Sequence, residues 1–193
     1  RLRPDAPRFF HCDLAITGDC AGFAMGHAAP PVEVVRTNPD GSAYRMLSPV
    51  IYIDLMLRIA PPVGSQIDIG KIRQFIAMLA AYGTPIKCVT FDGWGSVDSI
   101  QILRKTGFES EVVSVDRTDG PYSALRQAAF ERRLSVYSYE PFKTEVLALE
   151  QDPRTRKVDH VKGGAKDVAD AVAGVCWNVI AEEEVLRPQV RAT

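Results

Sequence analysis

Long apolar runs are missing from this sequence: none approaches the roughly 20 residues that cross a bilayer as a helix. Behind the charged start, Arg1-Leu2-Arg3-Pro4-Asp5, no apolar segment of the secretory kind follows. A soluble, intracellular chain with no membrane contact is the expectation. Cysteine is scarce and scattered. Cys12, Cys20, Cys88 and Cys176 match neither a zinc-ligand spacing nor a disulfide framework, so reduced thiols in apolar surroundings are predicted. Neither sign of charge dominates, with 23 Lys and Arg against 24 Asp and Glu. The chain is therefore not a generally basic binder of polyanions, and any such contact must come from a local cluster. No Gly-x-x-x-x-Gly-Lys-Ser/Thr loop is present to cradle nucleotide phosphates. No Ser-His-Asp or Cys-His spacing supports a covalent nucleophile.

The sequence does hold 193 residues of ordinary globular composition, 46% hydrophobic and 24% charged, which suits one domain. Apolar stretches 9–16 and 23–27 flank a turn at Thr17-Gly18-Asp19 and predict a hairpin. Asn38-Pro39-Asp40-Gly41 is a turn between strand-like stretches 32–36 and 43–47, and 50–57 is a strongly apolar strand. After Pro61-Pro62 the period changes. Ile69, Ile72, Phe75, Ile76 and Leu79 share one face of a helix that Gly83 closes. A strand over 85–92, a helix capped by Ser96 and stopped by Gly107, and a strand over 111–115 follow. Helices are expected over 122–133, 141–150 and 167–184. Three antiparallel strands, then parallel strands alternating with helices, predict an α/β protein. Its mixed five-stranded sheet, flanked by helices, has the element order of the ribonuclease H-like fold, and a plain α/β module shares that composition.

Three carboxylates stand where two-metal phosphodiester hydrolysis would need them, on separate segments able to converge. Asp13 interrupts the apolar strand Phe9-Phe10-His11-Cys12-Asp13-Leu14, where a buried charge needs a partner. A cation is one such partner, and a structural hydrogen bond or salt bridge is another. Asp92 ends the strand before Gly93-Trp94-Gly95, a position that also suits a plain turn. Asp167 opens the last helix, where a carboxylate is favoured in any case. Oxygen ligands of this kind suit magnesium. On the last helix Asp167 lies nearer the apolar stripe of Val168, Ala171, Val172, Val175 and Val179 than Asp170 does, at about 100° per residue. Asp167 is thus the expected ligand, with Asp170 a second one or a group orienting bound water. Asp19 is a weaker candidate in a turn, and Asp54 reads as structural. Arg154, Arg156, Lys157, Lys162 and Lys166 form a basic stretch that fits phosphate contacts or a solvated loop. His160 and Trp94 are auxiliary candidates, for phosphate contact or proton transfer and for base stacking.

The segment 9–15 with Gly18, Asp19 and Gly22 resembles the opening strand of the nuclease domain of tailed-bacteriophage terminase large subunits. Phe91-Asp92-Gly93-Trp94-Gly95-Ser96, with Gln101, Leu103 and Gly107, resembles their second acidic motif. Lys166-Asp167-Val168-Ala169-Asp170-Ala171 resembles the third, although Lys166 stands where many relatives carry a further acid. The resemblance covers nearly the whole chain. It implies a metal-dependent endonuclease that cuts double-stranded DNA in viral genome packaging, in the host cell cytoplasm. Asp13, Asp92 and Asp167 would hold magnesium or manganese, two ions in the DNA-bound state. The implied partners are double-stranded DNA, the packaging ATPase domain of the same subunit, the portal and the small terminase. Lacking a phosphate loop, the chain is expected to be the nuclease part alone, 9–193, with 1–8 a linker remnant. A ribonuclease H-like resolvase or recombinase, preferring branched DNA, and a catalytically silent docking module are the alternatives.

Overall fold

The computed structural model describes residues 3–15, 20–93 and 96–186, with side chains described as far as residue 182. Asp19 and Trp94, both named above, lie outside the described residues. Five helices and eight strands are described: β1 (Arg8–Asp13), β2 (Ala21–Thr37), β3 (Ala43–Ile59), α1 (Ile69–Ala81), β4 (Ile86–Phe91), α2 (Val97–Lys105), β5 (Ser110–Val112), α3 (Gly120–Phe130), β6 (Leu134–Ser135), α4 (Glu140–Leu147), β7 (Leu149–Gln151), β8 (Val158–His160) and α5 (Asp167–Leu186). One mixed sheet runs in the order β5-β4-β1-β2-β3-β6, and β7 and β8 form a separate hairpin. β1, β2 and β3 are antiparallel neighbours, while β4 pairs parallel with β1 and β5 parallel with β4. The expected plan is present with one strand added. That strand, β6, has only two residues and pairs parallel with β3 at Ile51 and Tyr52.

The stretches 23–27 and 32–36 are one strand, as are 43–47 and 50–57. Pro30 and Pro31 cannot donate to a ladder, so the pairing shifts between Ala29 and Val32 and β2 continues beyond the break. Ser96 does not cap α2 with its side chain; its hydroxyl donates to the Gly93 carbonyl at 2.6 Å. Gly83 and Gly107 do end their helices in the left-handed region, at φ 90° and 93°.

The alternation of β1 separates two cores. Phe10 and Cys12 face α1 and α2, packed with Phe23, Ile72, Ile76, Val89, Phe91, Ile100 and Leu103. Phe9 faces the other layer, with Ala24, Ile51, Tyr122, Leu125, Val172 and Val175. α5 is the centre of that second layer, packed between β1, β2 and β3 on one side and α3 and α4 on the other. Every residue from 167 to 176 is buried, so α5 is enclosed all round. It also lies unusually close to the strands. A Cβ on Gly22 would stand 1.8 Å from the Asp167 carbonyl oxygen, and one on Gly174 would stand 2.1 Å from the His11 ring. Two glycines therefore allow the helix to rest against β1 and β2, and they bring its acidic start over the end of β1.

Candidate metal centre

Parallel pairing assembles the site. Cys12 is opposite Phe91, and the Asp92 amide donates to the Cys12 carbonyl at 3.0 Å, so Asp13 and Asp92 leave the sheet side by side at the carboxyl ends of β1 and β4. The chain beyond β5 runs on beside them: the Val113 amide donates to Phe91 at 3.0 Å, and the Val115 amide lies 3.4 Å from Asp92 Oδ2. Asp116 follows directly. Asp13, Leu14, Asp92, Gly93, Ser114, Asp116 and Arg117 line one cleft. Gly93, at φ 75°, lets the chain turn away sharply behind Asp92.

α5 adds Asp167 and Asp170, and its start is held in place by a side chain from another helix. Glu145 Oε2 accepts the Val168 and Ala169 amides at 2.8 and 2.9 Å, satisfying two of the donors that a helix N-terminus leaves open. Asp167 lies 3.5 Å from Arg58 Nε. Asp170 accepts from the Tyr122 hydroxyl on Oδ1 and from Lys166 Nζ, at 2.7 Å, on Oδ2. The same ammonium donates to Asp116 Oδ1, also at 2.7 Å.

Electrostatics mark the cluster. Burial, then the charges of Asp170, Asp92 and Asp167, push the Asp13 carboxyl up from 3.8 to about 8, against the opposing pull of Lys166. Burial also lifts Asp170 to about 6, although Lys166 and Tyr122 act in the other direction. Burial alone would lower Lys166, but Asp170 and Asp116 outweigh it and hold the ammonium charged. Among the described residues no three of these acids stand together as the ligands of one ion. The donor chemistry nevertheless fits a hard divalent cation: the converging groups are carboxylate oxygens carried by three strand ends and a helix.

Of the sequence candidates, Asp13, Asp92, Asp167 and Asp170 gather at this end of the sheet. Between the two helix acids, Asp170 acts more strongly on Asp13 than Asp167 does. The apolar stripe could not rank them, because α5 has no solvent-facing side there. The basic stretch is the β7–β8 hairpin and the chain beyond it, and much of its charge is already matched. Arg156 makes a two-pronged pair with Asp119 at 2.8 and 3.0 Å, and Lys157 pairs with Asp159 at 3.3 Å. Arg154 and Lys162 are exposed. His160 turns its Nδ1 to the Val161 carbonyl at 2.9 Å, and its Nε2 lies 3.9 Å from Asp159 Oδ1. His11, buried and hydrogen-bonded to Thr90 Oγ1 at 2.7 Å, is pushed down to about 3 by burial and stays neutral within the core. Asp54 is structural, in contact with Arg8 at 2.9 Å and His27 at 2.7 Å.

Sequence reasoning missed Asp116, Glu145 and Tyr122. For Asp116 a signal existed, since it directly follows the strand expected over 111–115, much as Asp92 closes its own. Glu145 and Tyr122 are helical residues whose importance depends on which helix they face.

No family model matches the sequence, and no curated protein matches it. Solved structures do. The large terminase nuclease of thermophilic phage G20c aligns over 90% of this chain and 82% of its own, at 13% identity and TM-score 0.61. Its magnesium-bound form aligns over the same shares at 15% identity and TM-score 0.57. The HK97 bacteriophage large terminase aligns over 90% of this chain but only 39% of its own, at 12% identity and TM-score 0.60. Among the described residues no helix is long and apolar enough to cross a membrane. With its three antiparallel strands, parallel β4 and β5, and α5 laid across β1 and β2, the chain has the ribonuclease H-like fold of the phage large terminase nuclease domains.

Proposed function

We propose that this chain is a divalent-metal-dependent endonuclease that cuts double-stranded DNA during viral genome packaging, as the nuclease part of a large terminase. The supporting observation is the placement of Asp13 and Asp92 side by side on paired parallel strands, with the acidic start of α5 brought over them by Gly22. Asp13, Asp92 and the helix acids Asp167 and Asp170 are the proposed ligands of magnesium or manganese, and the G20c nuclease has been solved with magnesium. Bound there, the metal would activate water and stabilise the charge that builds on the phosphate. The protein's own groups set up that chemistry. Glu145 fixes the start of α5, and Tyr122 and Lys166 aim Asp170. This reading makes the packaging ATPase domain of the same subunit, the portal and the small terminase the partners, in the host cytoplasm.

Incubation of the chain with supercoiled plasmid tests the reading. Nicked and linear products are expected with magnesium or manganese and none with chelator; absence of metal-dependent cleavage overturns it.

Phosphate contact should fall mainly on Arg154 and Lys162, since Arg156 is engaged by Asp119. Replacing both with Ala is expected to weaken binding to unrelated duplexes about equally and to flatten the log–log salt dependence by roughly 0.9 per lost contact. Arg156→Ala should flatten it less. Salt titrations of duplex binding check this, and an unchanged slope in the double variant would move the DNA track elsewhere.

A further inference from the structure

Lys166 does something that a lysine beside a helix start does not ordinarily do. Its side chain is 12% exposed, and its ammonium sits 2.7 Å from Asp170 Oδ2 and 2.7 Å from Asp116 Oδ1, joining the start of α5 to the loop behind β5. Exposed pairs such as Lys143 with Glu140 are loosely held and contribute little. This one is enclosed and held from two sides. Both oxygens of Asp170 are engaged, one by Tyr122 and one by Lys166. A magnesium or manganese ion binds a carboxylate oxygen at about 2.1 Å, and placed on Oδ2 it would crowd an ammonium of like charge. Asp116 is similarly occupied, with Lys157 Nζ 4.0 Å from its other oxygen.

We propose that Lys166 is a resident cation of the cleft: in the DNA-free protein its ammonium fills one of the two cation places, so the cleft accepts a single divalent ion until Lys166 is drawn away. The proposal rests on the metal-site reading above and concerns how that site is loaded. Asp13 and Asp92, neither paired with a lysine ammonium among the described residues, while Lys166 is held by Asp170 and Asp116, take the first ion. An entering phosphate supplies the negative charge that releases Lys166 from Asp170 and Asp116, and the second ion enters with it. Lys166 is thus a positioning residue that ties metal loading to the presence of DNA.

Manganese titration of the DNA-free protein, with free ion followed by its paramagnetic resonance, counts bound ions directly. The wild type should bind one ion and Lys166→Met two, while Lys166→Arg, which keeps the charge, should bind one. Lys166→Gln replaces the Met variant if the latter does not fold, because its amide can still donate to one of the carboxylates. Two ions on the wild type, or one ion on both the wild type and the uncharged variant, overturn the inference and leave the metal site standing. If neither binds manganese, or if Asp13→Asn binds it as well as the wild type, the metal-site reading itself falls.

Discussion

Asp13→Asn is expected to abolish metal-dependent cleavage and, in the same protein, to raise the thermal stability of the metal-free fold. The loss should be roughly a hundredfold or more, because residues that merely orient metal ligands already cost about 10- to 100-fold when replaced. The gain in stability follows from the raised Asp13 carboxyl, at about 8 against an ordinary 3.8. Between those two values the folded chain keeps a proton that the unfolded chain has released. Stability of the metal-free wild type must therefore fall as pH rises through that window. The Asn variant has no proton to hold and loses this dependence. Near pH 8 it should be the more stable of the two by on the order of 1–3 kcal/mol, with each kcal/mol worth about 2 to 4 °C in a domain of this size. Manganese should reverse the ranking by stabilising the wild type alone. Melting curves at pH 5 and pH 8, with and without manganese, read all three effects. A folded Asp13→Asn variant with full activity would remove the central claim, and an equal manganese shift in both proteins would show that the acids do not form a metal site.

Gly22→Ala should damage stability and cleavage together, although Gly22 bears no functional group. The new methyl carbon would sit 1.8 Å from the Asp167 carbonyl oxygen and 2.2 Å from its carbon. Both are backbone atoms, so no side chain can swing aside. α5 must lift from β2, and Asp167 and Asp170 move with it, away from Asp13. Overpacking of this kind costs about 1–3 kcal/mol, and more where the obstacle is backbone. Displacement of metal ligands by even an ångström should lower cleavage on the order of a hundredfold. Gly41→Ala is the contrast: at φ 86° with open space around it, that variant should lose about 1 kcal/mol and keep its cleavage. Wild-type melting and nicking in Gly22→Ala would mean that α5 does not rest where it is seen.

Much of the site was legible because it rests on local rules. Asp13 stood out as a charge inside the strand Phe9 to Leu14, and burial with its acidic neighbours raises its carboxyl to about 8, above that of Asp170 at about 6. Asp92 was marked by its place between an apolar strand and Gly93. Asp116 carried the same mark and was passed over, because a turn acid next to Arg117 is ordinary until β5 is known to lie beside β4. The basic stretch was legible as charge but not as pairing. Arg156 and Lys157 pair with Asp119 and Asp159, which the stretch by itself does not show, and Asp119 is 37 residues away in sequence from its partner.

What the sequence determined by itself was the alternation that gives β1 two faces, the period change into α1, and the glycines that end α1 and α2. Each depends on neighbours within a few residues, where backbone geometry and burial leave few choices. The tertiary structure alone decided the rest. β6, β7 and β8 have two or three residues each, too few for any periodic signal; β6 forms against the long strand β3, while β7 and β8 pair only with each other. The orientation of Asp167 and Asp170 followed from the enclosure of α5 on every side, which erases the polar face from which a helix's direction is usually read. The Lys166 bridge between Asp116 and Asp170 depends on a loop and a helix 50 residues apart meeting at the same strand ends. That meeting is set by the close approach of backbone to backbone at Gly22, which no local pattern encodes.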